Sequence, residues 1–299
     1  MNPQIPADPL AEMISTLDLK HIDDSTSRED LFEGPSQWMP HGRVFGGQVL
    51  AQSLVAATRT MDGRAVHSMH GYFLRPGDIT LPITFSVDRL RDGRSFSTRR
   101  VQAFQKNEPI FSMIASFQEH DPGLEHQDEF PSDIPDPETL PSAADLMGDN
   151  PHPVAQYWSK ARPFDMRHVP SPIYFSVEGE PVAHQAVWLR SLGDLPDDQA
   201  LHTAALAYAS DYSILESIYR RHGIAWSHPG LKSASLDHAM WFHRPARVDQ
   251  WMLYVQESPS AQGGRGLALG RIFSMRGELL ATVAQEGMVR VPELNKNLS

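Results

Sequence analysis

Two segments of this chain carry the same short text. His67-Ser68-Met69-His70-Gly71-Tyr72-Phe73-Leu74-Arg75-Pro76 is matched by Asp237-His238-Ala239-Met240-Trp241-Phe242-His243-Arg244-Pro245, and the shared aromatic-Phe-x-Arg-Pro ending is displaced by 169 positions. Each copy is followed by a glycine-arginine turn, Gly93-Arg94 and Gly264-Arg265. Each unit then closes on an apolar segment ending in Gln-Glu, at Gln118-Glu119 and Gln285-Glu286. Markers that keep their order over so long a period mean two tandem copies of one domain. The 299 residues are enough for both.

The pattern inside each copy points to α+β halves. Gly46-Gly47 opens an uncharged run rich in Ala and Leu, residues 48–57, which reads as a buried helix. Leu81, Ile83, Phe85 and Val87 alternate with Thr84, Ser86 and Asp88, the period of a strand, with Pro82 at an outward or edge position. Asp92-Gly93 signals a hairpin turn, and residues 110–117 form a further strand. Residues 10–19 read as a short amphipathic helix. From about 120 to 163 Pro, Asp, Glu and Ser dominate, a linker draped over the surface with one short helix at 150–160. The second copy begins with a strand at 185–190 and a long helix over 201–222, introduced by Pro196-Asp197-Asp198 and stopped by Gly223. Strands follow near 235–242, 251–257, 266–273 and 279–285. The boundaries are thus an N-terminal domain over 1–120, a linker over 121–164 and a C-terminal domain over 165–299. A single apolar helix buries all its faces only if a sheet curves around it.

Composition excludes several function classes. The net charge of −11 argues against nonspecific nucleic-acid binding, which needs net basic surface. With no cysteine, disulfides, thiolate metal sites and cysteine nucleophiles are impossible. No apolar run is long enough to span a bilayer. The N-terminal segment lacks the features of a secretory signal, and the Lys296-Asn297-Leu298-Ser299 ending is not the peroxisomal Ser-Lys-Leu tail, so a cytoplasmic location is expected. There is no Gly-x-Ser-x-Gly elbow, no phosphate-binding loop ending in Gly-Lys-Ser/Thr, no His-Glu-x-x-His site, and no histidine spacing that suggests a metal.

Six segments taken together resemble the acyl-CoA thioesterase II family. They are Val44-Phe45-Gly46-Gly47-Gln48-Val49, the stretch from His67 through Gly77-Asp78, and Asp88-Arg89-Leu90-Arg91-Asp92-Gly93-Arg94-Ser95-Phe96. In the second half they are Tyr208-Ala209-Ser210-Asp211, Ser235-Leu236-Asp237-His238 through Arg244-Pro245, and Gln285-Glu286-Gly287. Their order covers nearly the whole chain. The resemblance implies a tandem, or double, "hot dog": two helix-in-curved-antiparallel-sheet domains that join in one continuous sheet. It implies hydrolysis of fatty acyl-CoA to fatty acid and coenzyme A without metal or cofactor, in a homodimer or homotetramer. It places an aspartate, a hydroxyl residue and a glutamine around the attacking water, which map here to Asp211, Ser235 and Gln285.

The residue chemistry agrees. Thioester hydrolysis needs a base for water, an anchor for that water and donors for the oxyanion. Asp211 is the only acidic residue between Gln199 and Leu215, on a largely apolar stretch where desolvation would raise its basicity. Ser235 and Gln285, read at strand ends, can hold water without titrating. Gly46, Gly47 and Gln48 are candidate substrate-binding residues, although the glycines serve equally for close packing. Arg75 and Arg244 have a structural reading, and packing or hydrogen-bonding roles are expected for His67, His70, His238 and His243. Aligned half against half, Gln48 falls near Asp211, Val66 against Ser235 and Gln118 near Gln285. One complete polar set per chain is therefore expected, in the second half. The alternatives are a hot-dog enoyl-CoA hydratase, disfavoured because no His follows Asp211 until His222, and a non-catalytic acyl-CoA-binding protein.

Overall fold

The computed structural model describes residues 5–23 and 29–292; residues 1–4 and 293–299, which hold most of the N-terminal segment and the C-terminal tail discussed above, lie outside the described residues. Each half combines helices with a run of consecutive strands. Helix α1 (Pro9–Leu17) precedes β1 (Lys20–Ile22) and β2 (Asp30–Gly34). Helix α2 (Gly46–Thr58) leads to β3 (Ala65–Phe73), β4 (Ile83–Asp92), β5 (Phe96–Gln105) and β6 (Glu108–Gln118). Short helices α3 (Ala143–Met147) and α4 (Pro153–Gln156) lie in the connection. The second copy consists of β7 (Phe164–His168), β8 (His184–Ser191), α5 (Gln199–Ser210), α6 (Glu216–Arg221), β9 (Lys232–Ser235), β10 (Asp237–Phe242), β11 (Met252–Gln262), β12 (Arg265–Ser274) and β13 (Leu279–Arg290).

All thirteen strands share one sheet, in the order β1-β2-β4-β5-β6-β3-β10-β13-β12-β11-β8-β7, with β9 alongside β13. The order is a palindrome of the two copies: β3 occupies the place that β9 and β10 share, and β6 the place of β13. The halves join where β3 and β10 pair antiparallel, Ala239 opposite His70 and Met240 opposite Met69. Backbone hydrogen bonds thus cross the domain boundary without interruption. This is the tandem hot dog with a continuous sheet.

Each copy wraps its sheet around one helix. Asp198 caps α5 by accepting from the amides of Ala200 and Leu201. Helix α2 begins after Phe45 with no side-chain cap. Gly47 to Ala57 of α2 are buried except Val55, and Ala204 to Ser210 of α5 are buried throughout. Small residues let the two helices meet closely. A Cβ on Gly47 would strike the Tyr208 carbonyl oxygen. Around the helices, Met69, Phe85, Val101, Phe111, Tyr254, Ile272 and Val283 belong to one apolar core shared by both halves.

Several expectations need correction. The helix read over 201–222 is two helices, because residues 211–215 turn instead of continuing it. The amides of Tyr212 and Glu216 bond three residues back, to the carbonyls of Ala209 and Ser213, the tighter pattern of a helix end. The strand read over 235–242 breaks at Leu236, whose amide donates to the Glu286 carbonyl and whose carbonyl accepts from the Phe73 amide. Strand β13 runs to Arg290, so Gln285 sits inside a strand and not at its end. Pro82 precedes β4, which starts at Ile83. The short helix expected at 150–160 begins only at Pro153 and widens from Tyr157 to Ala161 into a five-residue π-helical turn.

The connecting segment lies over the outer face of the second half. Phe130, Ile134 and Leu140 pack against Trp188, Trp251, Phe273 and their neighbours. Gln127 clamps the β12–β13 turn, donating to the Gly277 carbonyl (2.7 Å) and accepting from the Leu279 amide (3.1 Å). The Trp188 indole donates to the Pro135 carbonyl and the Trp251 indole to Glu138, each at 3.0 Å.

Candidate active site

Where the second half differs from its twin, three polar side chains converge. Asp211 caps the C-terminal end of α5 in a helical backbone conformation. Ser235 is the last residue of β9, opposite Gly287 of β13. Gln285 points inward from β13 and is 1% exposed. Ser235 Oγ donates to Asp211 Oδ1 at 3.0 Å, and Gln285 Nε2 donates to the same oxygen at 3.0 Å and to Ser235 Oγ at 2.9 Å. From the end of α5 the carboxylate reaches across to β9 and β13.

The first half completes the enclosure. The start of α2 abuts the carboxylate, and the Gly47 amide donates to Asp211. A Cβ on Gly46 would lie 2.5 Å from Asp211 Oδ2. Phe45 stacks on Tyr212 at 4.5 Å between ring centres, next to the carboxylate. Asp211 keeps part of its surface open, yet the surrounding protein displaces enough water that burial pushes its carboxyl up to about 6. The hydrogen bonds from Gln285, Ser235 and Gly47 oppose this shift and lose to it.

The other candidates fall into place differently. Gln48 is fully buried with its amide turned away from Asp211. It accepts from the Gln37 amide at 3.1 Å and donates to the Pro35 carbonyl at 2.9 Å and to Gln52 at 3.0 Å. Arg75 donates to the Pro109 carbonyl and Arg244 to the Leu279 carbonyl, matched contacts that tie each Arg-Pro corner to the neighbouring strand. His67 meets Ser116 and His243 meets Thr282, each at 2.8 Å, and the ring of His70 stands edge-on to Trp241.

Strand register corrects one internal equivalence. Val66 pairs with Phe117 as Ser235 pairs with Gly287, so Val66 is the counterpart of Ser235. Met69 pairs with Ala115, and the β10–β13 ladder, continued one residue beyond Ala239 and Ala284, sets His238 against Gln285. The counterpart of Gln285 is therefore Ala115, not Gln118. The matched Gln-Glu text misleads by three residues because it falls on different rungs of the two ladders.

Sequence reasoning missed how deeply His238 is built into the site. It is 1% exposed, its Nδ1 meets Gln285 Oε1, and its Nε2 lies 3.0 Å from Ser210 Oγ. The available signal was a histidine standing where the first copy has Met69. Among the described residues no cluster of three or more His, Asp or Glu side chains could hold a metal ion, and no helix is long and apolar enough to cross a membrane.

Comparison with known proteins adds a second line. A family profile described as acyl-CoA thioesterase matches residues 159–288, and one described as acyl-CoA thioesterase N-terminal domain matches residues 34–118. The chain is similar to acyl-coenzyme A thioesterase 8 of Homo sapiens, 39% identical over 98% of this chain and 93% of that one. It is also similar to acyl-CoA thioesterase 2 of Haemophilus influenzae, 38% identical over 96% of this chain and the whole of the other. The crystal structure of acyl-CoA thioesterase II TesB2 from Mycobacterium marinum superposes with a TM-score of 0.77 at 44% identity, covering 94% of this chain and 98% of that one.

Proposed function

This chain belongs to the acyl-CoA thioesterase family, and we propose that it hydrolyses fatty acyl-CoA at one site per chain, with Asp211 as general base and Ser235 and Gln285 as holders of the attacking water. The observation that carries this reading is the convergence of Ser235 Oγ and Gln285 Nε2 on Asp211 Oδ1, each at 3.0 Å. A water entering this triangle donates to the carboxylate and takes one of the two Gln285 N–H groups from Asp211 or Ser235, which it displaces. As its oxygen attacks the thioester carbonyl carbon, its proton passes to Asp211. The tetrahedral oxyanion then collapses and the C–S bond breaks. The thiolate of coenzyme A takes the proton back, leaving the carboxylate ready again. A pKa near 6 supports the role, because the group is ionised at neutral pH and still a better base than an ordinary carboxylate. The positive dipole end of α2, whose Gly47 amide already serves the carboxylate, also favours the developing oxyanion. Gly46 and Gly47 let the substrate carbonyl approach there. Domain limits at 120 and 165, a cytoplasmic location and assembly into homodimers or homotetramers belong to the same proposal.

The rival readings differ in product. A hydratase needs a histidine to move protons at the substrate, whereas His238 is buried with both ring nitrogens engaged. A binding protein needs no base. Thiol release from a panel of acyl-CoA chain lengths separates all three. The proposal expects coenzyme A and fatty acid in equal amounts, and hydration of an enoyl-CoA without thiol release would replace it with the hydratase.

A further inference from the structure

We propose that His238 is a positioning residue for hydrolysis: it holds the Gln285 amide in the one orientation that turns its N–H groups toward Asp211 and Ser235. The inference rests on the role assigned to Gln285 above. The two ends of a glutamine amide are almost the same shape, so packing alone does not fix which end faces the carboxylate. A flipped amide would set Oε1 against Asp211 Oδ1, two acceptors with no hydrogen between them, and the water would lose its donor. Gln285 Oε1 instead meets Nδ1 of His238. As Oε1 only accepts, the imidazole carries its hydrogen on Nδ1, which leaves Nε2 as the acceptor. The Ser210 hydroxyl lies 3.0 Å from that acceptor and 2.8 Å from the Ala207 carbonyl, so its one hydrogen is shared between the two. Burial pushes the imidazole down to about 4, so it stays neutral at working pH and keeps this single arrangement.

Ser210 immediately precedes Asp211, which closes a ring. Asp211 receives Gln285, Gln285 receives His238, His238 meets Ser210, and the backbone returns to Asp211. The Tyr254 hydroxyl donates to the Ser210 carbonyl at 3.1 Å and steadies the helix end from the sheet. The first half supplies an internal control. At the equivalent cross-strand pair it has Met69 and Ala115, lacking both the amide and its holder.

The test compares His238→Leu and His238→Asn in the wild-type and Gln285→Ala backgrounds, reading kcat and KM by thiol release and folding by thermal melt. Leucine fills the space without a donor, and the Asn side-chain amide overlays Nδ1. We expect His238→Leu to lower kcat about 10-fold, the worth of one net hydrogen bond, with little change in KM. His238→Asn restores most of it, and the double variant is no slower than Gln285→Ala alone. Equal kcat for His238→Leu and wild type, or losses that multiply in the double variant, would overturn the inference. If His238→Leu does not fold, His238→Asn against His238→Gln decides, because the Gln amide overlays Nε2; Asn must be the faster. A fast Gln285→Ala enzyme sinks the Gln285 assignment and this inference with it, whereas a slow Gln285→Ala with a fast His238→Leu sinks only the inference.

Discussion

Gly46 of the first half lies against Asp211 of the second so closely that a Cβ at Gly46 would stand 2.5 Å from Oδ2 of the carboxylate. The carboxylate proposed as the base lies in one copy and is seated on the helix start of the other, so both copies contribute to the proposed site. The contact is sterically tuned. Alanine suits the first turn of a helix, so Gly46→Ala should fold, but its methyl group must push the carboxylate aside. A displacement near 1 Å in a catalytic group costs up to about 100-fold. Steady-state kinetics should show kcat falling about 10- to 100-fold in Gly46→Ala with the melting temperature close to that of the wild type. An unchanged kcat would show that the carboxylate has room to spare.

The pH dependence follows from the raised carboxyl. As the proposed general base, Asp211 would act only when ionised, so kcat/KM should rise as pH passes through about 6 and level off above. Stability runs the other way. The folded state binds a proton on Asp211 between about pH 4 and 6 where the unfolded chain has released it, so this group destabilises the fold increasingly across that window. The melting temperature of Asp211→Asn minus that of wild type should therefore increase between pH 4 and pH 7. A difference that stays flat across this range would contradict the raised value.

Ser235 is read as an anchor for water, so its hydroxyl matters and its identity does not. Ser235→Thr should keep most of the rate, and Ser235→Ala should lose rate with little change in folding. Rapid-quench mass spectrometry during turnover should find no acylated Ser235. A covalent acyl-serine would make it a nucleophile and overturn the assignment.

Much of this was legible from the chain alone, for identifiable reasons. The repeat fixed two equivalent units, and the uncharged run after Gly46-Gly47 is the helix α2, because a helix surrounded by sheet tolerates no charged face. Ile83, Phe85 and Val87 alternate in the sequence and point into the core. What escaped was set by tertiary contacts. No local signal marks the stop at Asp211; the residues from Tyr212 to Leu215 would suit a helix well enough, and the contacts of the carboxylate lie across the sheet. The same holds for the break at Leu236, which corresponds to the register shift between Val66 and Ser68 in the first copy. Phase was the other failure. Gln118 and Gln285 share a text but not a rung, and only hydrogen-bond register shows that Ala115 stands for Gln285.

Gln48 is a candidate the geometry moves from chemistry to stability. Its amide satisfies the Gln37 amide and the Pro35 carbonyl inside the fold. Gln48→Ala strands both, which should cost about 1–3 kcal/mol of stability. Urea denaturation should show the loss, while kcat of the folded fraction stays within about threefold, under 1 kcal/mol in barrier height. A large fall in kcat without loss of stability would return Gln48 to the active site.

The most direct test of the account is Asp211→Asn, measured for both chemistry and binding. Asparagine has the shape of aspartate but cannot take a proton from water. Thiol release should show kcat lower by about 10²- to 10⁴-fold, the usual contribution of a general base, while calorimetry with a non-hydrolysable acyl-CoA analogue finds near wild-type affinity. A kcat that stays within about threefold of wild type, far short of that contribution, would mean that Asp211 is not the base and that the second-half triangle is not where hydrolysis occurs.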